Sequence, residues 1–105
     1  MEAETDVIQE LVRRIVEVAH PVRIILFGSA ARGQMGPDSD IDVLVVVPHA
    51  DDRDTAARRI YRNLIGFGTP VDVVVATESD LRVYGDNFSL VYYPALHEGR
   101  EIYAA

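Results

Sequence analysis

The 105-residue chain contains no cysteine, no lysine and no tryptophan. Without cysteine it has no disulfide framework, zinc ribbon or thiol nucleophile. Without lysine it has neither a Walker-type phosphate lysine nor Schiff-base chemistry. All 10 basic residues are arginine and stand against 17 acidic ones, for a net charge of −7. That balance argues against direct nucleic-acid binding, because neutralising a phosphate backbone takes a basic surface. Individual phosphates remain accessible if a metal cation supplies the positive charge. Long apolar runs are also missing, the longest being residues 43–47, so no membrane partner is expected. The acidic start, Met1-Glu2-Ala3-Glu4, lacks the basic and apolar regions of a secretory signal. The expectation is a soluble, cytoplasmic chain forming one domain over 1–105.

What is present favours a sheet. Apolar residues make up 49% of the chain, and 15 valines and 8 isoleucines outnumber 7 leucines. Residues 6–19 carry Val7, Ile8, Leu11, Val12, Ile15, Val18 and Ala19 at helical spacing, with Thr5 or Asp6 as N-cap and His20-Pro21 as terminator. Residues 22–27 (VRIILF) read as a buried strand, 28–39 as a loop with a helical turn near Ala30-Ala31, and 40–47 (DIDVLVVV) as a strand covered on both faces. A second helix spans 52–65, and Arg58, Arg59 and Arg62 form its solvated face, with Asp54 spaced to pair. Residues 71–76 (VDVVVA) are a third strand. Thr77 and Asp80 suggest a capping box for a short helix ending near Gly85. A further helix is expected over 88–98 with a break or kink at Pro94, then an edge strand over 100–103. The fold class is α/β (α+β), a small mixed sheet of three to four strands packed by helices.

Three acids carry the chemistry of this pattern. Asp40 and Asp42 are two apart on a strand, so their side chains leave one face with Cα atoms roughly 7 Å apart. Asp72 is the second residue of the next strand. The intervening helix makes a parallel crossover the default, which sets the two strand starts side by side. The strand at 22–27 is most simply antiparallel to its successor and delivers Gly28 and Ser29 to the same edge. Three ionised carboxylates so placed repel unless a cation lies between them. Oxygen ligands, one or two carboxylates per ion, suit Mg²⁺ shared with substrate phosphates. Two such ions about 3.5–4 Å apart could clamp an in-line phosphoryl displacement. Taken singly, each acid reads as an ordinary turn or solvated strand position. Together, flanked by Ile41, Val43, Val71 and Val73, they need a partner. Gly28 permits close backbone approach to a ligand, the Ser29 hydroxyl can hold phosphate oxygens, and Arg32 can reach them bidentately. A simple tight turn remains the plainer account of Gly28-Ser29 alone. No G-x-G-x-x-G is present, so a dinucleotide fold has no support.

The stretch GSAARGQMGPDSDIDVLV, with Gly-Ser, a ten-residue spacer and Asp-x-Asp, resembles the signature of the DNA polymerase β-like nucleotidyltransferases. It is most similar to their small stand-alone branch, the minimal nucleotidyltransferases, over residues 25–47, with Asp72 at the family's third acid. The resemblance implies the polymerase β-like fold and a single minimal nucleotidyltransferase domain. It implies that Gly28 and Ser29 bind the nucleotide triphosphate, with Arg32 as a further phosphate contact. Asp40, Asp42 and Asp72 would hold two Mg²⁺, and Asp72 would help deprotonate the acceptor hydroxyl. The activity implied is transfer of a nucleoside monophosphate, AMP from ATP, to an acceptor hydroxyl. The family's usual partner is a HEPN-domain ribonuclease toxin, for which the minimal nucleotidyltransferase is the antitoxin, and a homo- or hetero-oligomer is the expected setting. The alternative is a non-catalytic antitoxin, a binding module that neutralises a toxin by contact alone. His20, His49 and His97 lack ligand spacing and read as surface or packing residues. Tyr92-Tyr93 reads equally as core or docking surface.

Overall fold

The structure, a computed structural model, describes residues 2–28, 31, 33, 40–87 and 92–105. Helix α1 (Glu2–Ala19) and strand β1 (Arg23–Phe27) come first, then β2 (Ile41–Val46) and a 3₁₀ turn (Ala50–Asp52) leading into α2 (Arg53–Asn63). Strand β3 (Val71–Ala76), α3 (Glu78–Tyr84), α4 (Tyr92–Glu98) and β4 (Arg100–Ala104) complete the order.

The four strands form one mixed sheet in the order β3-β2-β1-β4. β1 runs antiparallel to both β2 and β4, whereas β2 and β3 run parallel. This mixed sheet agrees with the fold that the resemblance implies, and the antiparallel β1–β2 and parallel β2–β3 pairings are the expected ones, whereas the sequence alone does not assign the partner of β4. The two inner strands are apolar because both of their faces are covered. On one face Ile24, Leu26, Ile41, Val43 and Val45 pack against Leu11 and Ile15 of α1 and Ala56 and Ile60 of α2. On the other, Ile25, Phe27, Leu44, Val46 and Ala76 pack against Leu81 of α3 and Ala95 of α4.

Some boundaries differ from the sequence reading. α1 begins at Glu2, so Thr5 and Asp6 lie within the helix rather than capping it. Acidic residues suit the positive end of a helix throughout its first turns, which leaves no signal to single out one of them as the cap. It ends where His20 takes a φ of 46°. Pro94 does not end α4, and the part of the expected helix before Tyr92 lies outside the described residues. The proline is the third residue of α4, in the first turn, where a missing N–H leaves no helical bond unmade. Residues 88–91, 30 and most of the 28–39 loop lie outside the described residues.

The cap of α3 is as read. The Thr77 hydroxyl accepts the Asp80 N–H at 3.1 Å and the Asp80 carboxylate accepts the Thr77 N–H at 3.0 Å. Arg53 joins at 2.6 Å, tying the start of α2 to that of α3. The Thr77 N–H, with the Arg53 guanidinium beside it, holds the Asp80 carboxyl below the usual carboxylate range. Asp54 and Arg58 do not pair. Among the described residues the cation of α2 in a salt bridge is Arg53, whose partner lies across a tertiary contact.

Ile60 and Ile65 give a direct test of this layering. Ile60 is wholly buried between α2 and the sheet, whereas Ile65 is 79% exposed. Ile60→Ala should destabilise by about 2–5 kcal/mol and Ile65→Ala by less than about 0.5, read from urea unfolding.

Candidate active site

Parallel pairing of β2 with β3 sets Ile41 beside Val71 and Asp42 beside Asp72. Adjacent strands lie about 4.8 Å apart, so two carboxylates leave neighbouring backbone positions on one face of the sheet. That is the face of Leu44, Val46 and Ala76. Asp40 precedes β2 by one residue, shares Asp42's parity and is exposed, as is Asp72. Asp42 is the only position of β2 that is not buried.

β1 closes the other side. Phe27 pairs with Asp42 across the antiparallel ladder, and the next residue, Gly28, has a φ of 72°. A Cβ placed on Gly28 would collide with Asp42 Oδ2. The left-handed backbone calls for the glycine, and a side chain there would also push the Asp42 carboxylate out of place. Sequence reasoning expected Gly28 to admit a ligand. Its described neighbour is Asp42 itself, a contact that spacing along the chain does not reveal.

Electrostatics follow from this placement. Burial pushes the Asp42 carboxyl up from its ordinary value, and the charges of Asp72 and then Asp40 push it further. The ionised pair is therefore held at a cost that a cation could offset. Hard oxygen donors of this kind fit Mg²⁺, which takes one or two carboxylates and completes its shell with water and phosphate. Among the described residues, no group of three or more His, Cys, Asp or Glu side chains is arranged to hold a metal ion, so the three acids do not form a ready-made site and a cation here would rest on the adjacent pair with water and phosphate. Asp42 and Asp72 are the adjacent pair, and Asp40 acts on Asp42 through its charge. Ser29 and Arg32, expected to hold phosphate, lie outside the described residues.

The other candidates fall elsewhere. His49 lines an open groove with Pro48, Thr77, Ser79 and Arg82 at the opposite, carboxyl end of β2 and β3. His97 contacts Asp86 at 3.2 Å and stacks on Tyr93. Tyr61, which no sequence pattern singles out, lays its hydroxyl against the backbone of Val73, next to Asp72. The Val73 N–H donates to Tyr61 Oη at 2.9 Å.

A family model described as nucleotidyltransferase domain matches residues 7–96, from within α1 to within α4. The chain belongs to the nucleotidyltransferase domain family. Two solved structures share the fold of this nucleotidyltransferase domain. One is a toxin–antitoxin structure with AMP-PNP, 20% identical, with a TM-score of 0.58, covering 91% of this chain and 73% of the other. The second is a candidate nucleotidyltransferase from Sulfolobus solfataricus, also 20% identical, with a TM-score of 0.61, covering 98% of this chain and 85% of the other. No curated protein matches the chain. No helix among the described residues is long and apolar enough to cross a membrane.

Two substitutions probe the carboxylate pair. Because the folded state holds Asp42 protonated to higher pH than the unfolded chain, its contribution favours folding below the usual carboxylate pKa and is lost as pH rises through the raised value. Asp42→Asn should therefore melt above wild type at neutral pH without divalent cation, by a few degrees, and the gap should close in acid. A lower melting point at neutral pH would contradict this account. Gly28→Ala should cost about 1–2 kcal/mol from the left-handed backbone, measured by urea unfolding, and should turn the Asp42 carboxylate aside.

Proposed function

We propose that the domain is a Mg²⁺-dependent nucleotidyltransferase that moves AMP from ATP to an acceptor hydroxyl on a partner protein, a HEPN-domain toxin, and so acts as its antitoxin. The observation that carries the reading is the side-by-side placement of Asp42 and Asp72, with the Gly28 backbone against the first. The family supports the reaction class. A neighbour solved as a toxin–antitoxin with AMP-PNP supports an adenine nucleotide and a toxin partner.

In this reading Asp40, Asp42 and Asp72 would hold the cations, two by resemblance to the family. Bound Mg²⁺ would neutralise the carboxylates and draw in the triphosphate. Gly28, Ser29 and Arg32 bind the nucleotide. The acceptor oxygen attacks the α-phosphorus, the bond from that phosphorus to the β-phosphate oxygen breaks, and pyrophosphate leaves. Asp72, the exposed member of the pair, takes the proton of the acceptor hydroxyl. Rate enhancement comes from positioning and charge rather than a covalent intermediate. One compact domain over residues 1–105 carries this chemistry.

Labelling tests it directly. With α-labelled ATP and Mg²⁺, the toxin partner should acquire label, and the Asp40→Ala/Asp42→Ala variant should lose at least about 100-fold of the rate, as expected when charge stabilisation is removed. Neutralisation without label, retained in that variant, would instead support the binding-only antitoxin.

A further inference from the structure

We infer that Tyr61 of α2 is a positioning residue for Asp72, holding the peptide unit that follows it from outside the sheet. The inference rests on the nucleotidyltransferase reading of the acid pair and extends it to a residue on the opposite layer.

The two carboxylates have unequal backbone support. Asp42 sits on β2, an inner strand with ladders on both sides. Asp72 sits on β3, which among the described residues is an edge strand with its one ladder to β2. The carbonyls of Pro70 and Ala76 accept the N–H groups of Ile41 and Val47, so even-numbered backbone groups of this strand face inward. Odd-numbered groups, Val73 among them, face outward, where an edge strand ordinarily meets water. Val73 does not. Its N–H donates to Tyr61 Oη at 2.9 Å, and the Tyr61 hydroxyl lies 3.5 Å from the Val73 carbonyl oxygen, at the limit of hydrogen-bond range.

The Val73 nitrogen is bonded to the carbonyl carbon of Asp72. A bond to that nitrogen therefore fixes the peptide plane adjoining the Asp72 Cα, supplying from a side chain what a second ladder supplies to Asp42. Tyr61 is otherwise poorly placed to stabilise the core. It is 46% exposed, and it reaches the strand from α2, which packs on the face away from the carboxylates. The hydroxyl, rather than the ring's burial, is the part of this side chain with a specific partner. A shift of about 1 Å at a reacting group can cost about 100-fold in rate, so restraint of the edge strand at this residue bears on catalysis.

The test is Tyr61→Phe in the full chain, with Tyr84→Phe, a comparably exposed tyrosine, as control. Tyr61→Phe should keep its melting point within a few degrees and lower kcat for label transfer about ten-fold, with KM for ATP within about two-fold. Amide exchange at Val73 should quicken about ten-fold while that at Leu44 stays unchanged. Tyr84→Phe should alter none of these. Unchanged kcat beside an active wild type, or unchanged exchange at Val73, overturns the inference. If wild type itself transfers no label, the enzymatic reading fails. Mn²⁺ binding in the presence of ATP then decides for Tyr61: weaker in Tyr61→Phe supports the role, equal affinity overturns it.

Discussion

The parallel pairing of β2 with β3 is the constraint on which the rest of the structure depends. One residue of slip in that register would move Asp72 to the other face of the sheet and leave Asp42 beside a valine. The register is held by apolar residues on either side of the acids. Val43, Val45 and Ile41 face α1 and α2, and Leu44, Val46 and Ala76 face α3 and α4. Two like charges are thus kept adjacent by a double-sided core that has no stake in their chemistry. The cost of that adjacency shows in Asp42, whose carboxyl is pushed up by burial and by its neighbours.

Each face of the sheet has a separate task. The α1–α2 layer carries most of the fully buried side chains. The α3–α4 layer is thinner and covers the carboxyl half of β2 and β3, while Asp42 and Asp72 stand at the strand starts on that same face. The capping box of α3, braced by Arg53 of α2, fixes where the thinner layer begins. Stability is concentrated in one layer and charge at one end of the other.

Much of this was legible in the chain itself. Strand β3 could be read residue for residue, because VDVVVA is β-branched and bounded by Pro70 and the cap at Thr77. The mixed pairing followed from the way the connections read in sequence: a helix between β2 and β3, a loop between β1 and β2. The three acids stood out because charge at an apolar strand start is expensive. Other features lay beyond linear reading. The start of α1 was misplaced, since several acidic residues suit a helix N-terminus equally well. Asp54 and Arg58 have the spacing of a helical pair, yet Arg53 finds Asp80 across the fold instead. Tyr61 was invisible because its partner is a backbone amide twelve residues away, and backbone groups leave no trace in side-chain patterns.

The contact between Gly28 and Asp42 makes the turn after β1 a guide for a carboxylate on the neighbouring strand. A Cβ at position 28 would need the space that Asp42 Oδ2 fills, and the carboxylate, as the free end of its side chain, would turn aside to yield it. The left-handed φ of Gly28 constrains that position whatever stands at position 42. A backbone conformation fourteen residues earlier in the chain thus leaves open the space in which the second aspartate of the signature lies.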